Sequence, residues 1–267
     1  MKKSIISLMI VAGAAMSTSA VAQGFTPSLP GGDITLGGTI TTAMEGVYEG
    51  KVSSLNGLNA TIRVGESEAT ITAPNHAGLL ALRSIDGFDN TAHGRIANIK
   101  FDGKSLSDAA GGGSFTNGKI DLSLIVKNSE NAEIGTVVVP VQVAAVSVTV
   151  DKHTKEASGE SLSAIEDQYA FFGGLPYSPG ASIQSYDGAL GVVNSLFSDI
   201  TAGFPEATLK ATSAVPKSFG AADKTFYTAY AAGVTQGDTI HLTLNNPAAN
   251  AGDVSWTASM PITVTYK

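Results

Sequence analysis

Apolar and polar residues alternate with a period of two over much of the chain, as in Ile120, Leu122, Leu124 and Val126, in Ile240, Leu242 and Leu244, and in Met260, Ile262, Val264 and Tyr266. Alternation of this kind marks strands with one buried face. The dipeptides Asp86-Gly87, Asp102-Gly103, Asn117-Gly118 and Gly237-Asp238 separate the runs as the turns of a β-sandwich would. Between Ile134 and Val150 the pattern slips: Val137, Val139, Val141 and Val143 share one parity, and Val146, Val148 and Val150 take the other. A β-bulge, or a strand passing from one sheet to another, is expected there. Its length, its β-branched content and the internal Pro140 and Gln142 favour buried strand over a membrane helix.

The middle of the chain has a different period. Leu162, Ile165, Tyr169 and Phe172 follow helical spacing, with Ser163 and Glu166 in capping-box order and Gly173-Gly174 as a stop, so a helix is expected over 161–172. Leu190, Val193, Phe197 and Ile200 predict a second over 187–200. These define a helical insert at about 155–205 in an otherwise all-β chain. Crossover helices of an α/β fold are the weaker reading, since a parallel sheet needs one between most strands.

Residues 1–22 carry Lys2 and Lys3, an apolar stretch from Ile5 to about Met16, and Ala20-Val21-Ala22, which together read as a secretory signal peptide. Removing it takes the 267 residues to 245 and the net charge from −7 to −9. An acidic chain with no basic tract lacks the electrostatic footprint of a nucleic-acid binder. With no cysteine, thiolate metal sites, disulfides and Cys nucleophiles are excluded. His76, His93, His153 and His241 lie far apart, without the spacing of metal ligands. No nucleophile elbow, phosphate loop or dinucleotide fingerprint is present. We therefore expect no enzyme activity, cofactor or metal.

The remaining signals lie at the two ends. Residues 23–42 begin with a Gly- and Pro-rich leader and continue as Asp33-Ile34-Thr35-Leu36-Gly37-Gly38-Thr39-Ile40, where Ile34, Leu36 and Ile40 share one face and Gly38 leaves a notch in that row. At the other end the strand through Met260, Ile262, Val264 and Tyr266 runs to the penultimate residue, with nothing after it to cover its edge. The chain resembles chaperone–usher fimbrial subunits of the kappa class, the Fae-type family of major fimbrial subunits and adhesins. The resemblance is carried by Gly37-Gly38-Thr39-Ile40-Thr41, by Gly159-Glu160-Ser161-Leu162 and Phe172-Gly173-Gly174-Leu175, by Ala229-Tyr230-Ala231 with Gly237-Asp238-Thr239-Ile240, and by Trp256 through Val264-Thr265-Tyr266. Lys267 departs from the pattern, and about 75–118 shows no clear match.

The resemblance implies an immunoglobulin-like β-sandwich over 43–267 that lacks its final strand, with the helical insert and an N-terminal donor-strand extension at 23–42. It implies export through the periplasm to a cell-surface fimbrium that mediates adhesion. The implied partners are a periplasmic chaperone, an outer-membrane usher, neighbouring subunits and host glycoconjugates. By this reading Ile34, Leu36, Gly38 and Ile40 form the donor strand, and Met260, Ile262, Val264 and Tyr266 dock the chaperone or the next subunit. Phe171, Tyr177 and Tyr186 are candidate sugar platforms, whereas helical spacing assigns Tyr169 and Phe172 to the core. The alternatives are a secreted or periplasmic carbohydrate-binding module that does not polymerise, and an exported hydrolase with a triad assembled from distant segments.

Overall fold

The computed structural model describes residues 26–27, 31–35, 47–249 and 254–267. Fourteen strands lie among them: β1 (Thr26–Pro27), β2 (Gly31–Thr35), β3 (Tyr48–Val52), β4 (Glu68–Thr72), β5 (Ala77–Ser84), β6 (Ala97–Phe101), β7 (Lys119–Asn128), β8 (Glu133–Asp151), β9 (Ala157–Ser163), β10 (Leu209–Lys210), β11 (Val215–Pro216), β12 (Lys224–Val234), β13 (Thr239–Leu244) and β14 (Trp256–Tyr266). Two α-helices, α1 (Leu106–Ala109) and α2 (Tyr186–Leu196), and a short 3-10 turn at Pro179–Ala181 complete the set. The result is an all-β sandwich with a small helical insert.

The valine run forms the spine of the fold as β8. One of its edges carries β7 along 133–142 and then β9 along 146–150, while the other carries β13 along 135–138 and then β12 along 142–151. Outside these, β5 pairs with β12 and β4 with β13, and β3 lies against β5. The sheet curls on through β7 to β14, which also pairs with β6 and β2. Pairing within the sheet is antiparallel apart from the two-residue strands β10 and β11 on β9.

The expected slip in β8 has a different cause from a bulge. Its register against β12 and β9 is unbroken through 142–151 and 146–150, and the irregularity near this hairpin lies instead at Val126/Lys127. What changes is which face is covered. Val137, Val139, Val141, Val143 and Ala145 enter the main core, whereas Ala144, Val146 and Val148 enter a second core roofed by α2. A strand covered on both faces must be apolar at both parities, so the alternation fades without the backbone changing phase.

α2 lies on that second core through Tyr186, Ala189, Val193 and Leu196, and its first turn is held by Ser185, whose hydroxyl accepts from Gly188 N–H at 3.1 Å. The floor beneath it is built from Ala81, Ala144, Ala229 and Ala231, small side chains that let a helix approach the sheet closely. Phe197 and Ile200, expected inside this helix, follow it and pack into the same core.

The helix expected over 161–172 does not form. Residues 157–163 are β9, and turns occupy the stretch after them. Beyond Gln142, β8 offers an edge that β9 satisfies residue by residue, from Val146 opposite Ser161 to Val150 opposite Ala157. Ladder bonds and the burial of Ser161, Leu162 and Ser163 override a weak helical period. The Ser161 hydroxyl also donates to the Ile183 carbonyl, tying β9 to the approach of α2.

At one end of the sandwich a polar network joins the end of β8 to the start of β12. Asp151 accepts from Lys224 and from the N–H groups of Thr154 and His153, and these bonds hold its carboxyl well below the usual range. Asp89, bonded by the Thr91 hydroxyl and N–H and by Lys152, is lowered to about 2. Both folded values lie below those of the unfolded chain, so their contribution is present above about pH 4 and is lost as pH falls through the folded values. Acid titration of the unfolding midpoint should therefore show a decline beginning near pH 4. That decline should be shallower in Asp151→Asn, and weaker at high salt, because both carboxylates are partly open to solvent.

Candidate assembly groove

β14 alternates cleanly: Ala258, Met260, Ile262 and Val264 are buried, and the residues between them are exposed. Its two edges differ. Asp102 N–H bonds Pro261 O at 2.7 Å, and Lys267 and Ile96 exchange bonds of 2.9 and 3.2 Å, so odd-numbered residues turn their backbone groups toward β6. In β7, Gly118 and Asn128 bond toward the β8 side, which leaves Lys127 facing Thr257. β6 and β7 therefore follow one another along the odd edge. Ile262 and Thr263 pair with both β6 and β2, so β2 occupies the opposite edge.

The register of β2 is Thr35 to Ser259, Ile34 to Met260, Asp33 to Pro261, Gly32 to Ile262 and Gly31 to Thr263. Ile34 and Gly32 thus stand opposite buried positions, and Thr35 and Asp33 opposite exposed ones. The edge described as uncovered from the sequence is paired here, along 259–263, with a segment of the same chain. Leu36, Gly38 and Ile40 lie outside the described residues.

Beside the start of β14 opens a cavity of about 900 Å³, lined by Leu58, Ile62, Leu242, Leu244, Val254 and Trp256 among others, with residues 55–62 as one wall. A second, wholly apolar space of about 20 Å³ lies beneath Met260, between Leu122, Leu124, Val139 and Phe101. Sequence reading missed the first cavity, because 55–62 has no periodic pattern. Its apolar residues Leu55, Leu58, Ala60 and Ile62 were the available signal.

Met260, Ile262 and Val264, expected from the sequence to dock a partner, belong to the main core. Tyr266 is half-buried and stacks on Tyr48, with ring centroids 5.9 Å apart and planes at 24°. The penultimate aromatic is thus part of the subunit's own packing, in a cluster where Tyr48 also meets Phe88 and Phe171. Lys267 pairs with Asp167, which fastens the C-terminus to the insert.

Two of the three proposed sugar platforms are not at the surface. Phe171 is fully buried, stacked on Tyr230 at 5.3 Å and edge-on to Tyr48 at 5.7 Å. Tyr186 is the first residue of α2 and lies over Gly159, where a Cβ would come within 2.8 Å of the ring. For Phe171 the reason is the missing helix: in a turn with Phe171 at φ 62° its ring points inward, and Phe172 and Tyr169 pack half-buried against the main core. Tyr177 is 37% exposed, and its ring lies 5.5 Å from that of Phe172.

The family described as "Fimbrial, major and minor subunit" matches residues 1–267. The chain is 29% identical over 288 residues to the F41 fimbrial protein of Escherichia coli, and 27% and 28% identical over 291 residues to the K88 fimbrial proteins AB and AC of the same organism. Each comparison covers all of both chains. With a family match along its whole length and relatives that are fimbrial proteins from end to end, the chain belongs to the family of fimbrial major and minor subunits.

Proposed function

We propose that this fimbrial subunit polymerises by donor-strand complementation: the extension at 23–42 of one copy enters the groove of the next and pairs with β14. The signal at 1–22 directs export into the periplasm and is removed as the chain crosses. A periplasmic chaperone holds the groove along Met260, Ile262, Val264 and Tyr266 until an outer-membrane usher brings subunits together. Adhesion to host glycoconjugates falls to the exposed ring of Tyr177 with Phe172 beside it.

The observation that carries this reading is the position of β2, antiparallel on the even edge of β14 with Ile34 at Met260. Extended without a break, the same register sets Leu36 opposite Ala258, Gly38 opposite Trp256 and Ile40 opposite Val254, along the mouth of the large cavity. The notch at Gly38 then meets the largest side chain on that edge. Reach argues for a second copy as the source of that strand. Val254 is about 40 Å from Tyr266 along β14, and Tyr266 stacks on Tyr48. The chain from residue 40 to Tyr48 spans at most about 29 Å. A second copy supplies Ile40 in that register without this limit of reach, which supports a neighbour as its source.

The test is a chain lacking residues 23–42, which keeps the groove but has no strand to donate. Mixed with intact chain during assembly, it should stop each fibre that accepts it, so mean length in electron micrographs should fall as its fraction rises. Fibres of unchanged length at equal amounts of the two chains would count against the reading and favour a binding module that does not polymerise.

A further inference from the structure

We propose that a subunit free of both chaperone and neighbour caps its own groove, with Gly31–Thr35 pairing in cis on the edge of β14 that a chaperone or a neighbour's extension otherwise occupies. This rests on the donor-strand reading above, and adds to it a state of the free subunit.

β2 and β14 belong to one chain, and their five-residue register is continuous. Pairing on the even edge makes Met260 with Ile34 and Ile262 with Gly32 the hydrogen-bonded pairs. An open edge beside a buried row is an aggregation hazard, and the cap removes it where the row is most apolar. The cap is also built to be displaced. It is short, it contains Gly31 and Gly32, which favour the unpaired state, and among the described residues no strand supports its outer edge. Its described pairs reach Ser259, and the Trp256 end of the groove lies beyond them. A neighbour's extension can make all the contacts of the cap and also fill the cavity, so exchange runs toward the fibre.

Because the chain has no cysteine, a single engineered pair reports the state. Thr35 and Ser259 form a non-hydrogen-bonded pair, the antiparallel site where Cα atoms are close enough for a disulfide. In Thr35→Cys/Ser259→Cys, the unassembled chain should oxidise to a monomer with an internal disulfide that neither single variant shows. Locked in this way it should assemble at least tenfold less fibre than after reduction. Fibres grown reduced and then oxidised should instead give a covalent ladder. A ladder without the internally bonded monomer would overturn the cap and leave the donor-strand reading standing. The bonded monomer without a ladder would overturn polymerisation through this strand, and neither species would overturn both. Hydrogen exchange on the unaltered, unassembled chain gives an answer independent of substitutions: the amides of Gly32 and Ile34 should exchange at least tenfold more slowly than that of Asp33, and equal rates would remove the cap.

Discussion

Replacing both Ile34 and Leu36 with aspartate is expected to abolish fibre growth while folded subunit accumulates in near-normal amounts. Burial of Ile34, Leu36 and Ile40 in a neighbour's groove contributes about 1.5–3 kcal/mol each, or roughly 5–9 kcal/mol together. Two carboxylates brought unpaired into an apolar site cost several kcal/mol each, enough to cancel that gain. Among the described residues the main core is built from side chains between Tyr48 and Val264, and both substitutions leave those side chains unchanged. Thr35→Ser is the matching control: Thr35 stands opposite exposed Ser259, one residue out of phase with the buried row, and should assemble as the parent does. Fibre yield by sedimentation and subunit yield by immunoblot separate the two effects. Normal fibres from the double aspartate chain, or a defect in Thr35→Ser as large, would contradict the assignment of this strand.

Gly173→Ala is expected to destabilise the subunit by ~4 kcal/mol or more, at the upper end of single substitutions, and to remove most folded chain. Gly173 has φ 84°, a conformation alanine adopts only with strain. A Cβ there would lie 2.1 Å from the Ile99 carbonyl oxygen, a backbone atom that cannot step aside. Its surroundings are fixed by Ile99 N–H to Phe172 O at 2.8 Å, Leu106 N–H to Gly173 O at 2.7 Å and Phe171 N–H to Ala97 O at 2.7 Å. These bonds lace the insert to β6 and α1, so relieving the clash means giving up several of them. Urea denaturation should show the midpoint falling sharply with little change in slope. Gly191→Ala, in the interior of α2 with nothing within 4 Å of a Cβ, should be neutral or slightly stabilising.

Local chemistry was the most legible part of the fold. Asp102-Gly103 and Asn117-Gly118 both adopt positive φ, at 50° and 74° and at 49° and 73°, and each closes a two-residue hairpin by mutual bonds, Phe101 with Lys104 and Thr116 with Lys119. The alternation of β7, β13 and β14 translates directly into buried and exposed rows. What the sequence did not reveal depends on neighbours distant along the chain. The parity change in β8 records the arrival of α2 on its second face, and β9 is a strand because β8 has an edge to fill. The misassigned aromatics share that origin. Helical phase assigns Tyr169 and Phe172 to the core and leaves Phe171 outside it, and once 164–172 is a turn that phase no longer says which ring is covered, while Tyr186 is covered because α2 packs its first residue against β9.

Trp256 is the only tryptophan in the chain, half-exposed on the wall of the large cavity and opposite Asn128 of β7. The subunit therefore carries an intrinsic optical probe at the mouth of its groove. A strand laid across the indole would exclude water from it and shift its emission to the blue, whereas seven tyrosines contribute little when excitation is set at the red edge of the absorption band. The kinetics of subunit joining can thus be followed on unlabelled protein, one indole per groove, and a slow fluorescence phase whose rate scales with subunit concentration would time the filling of that end directly.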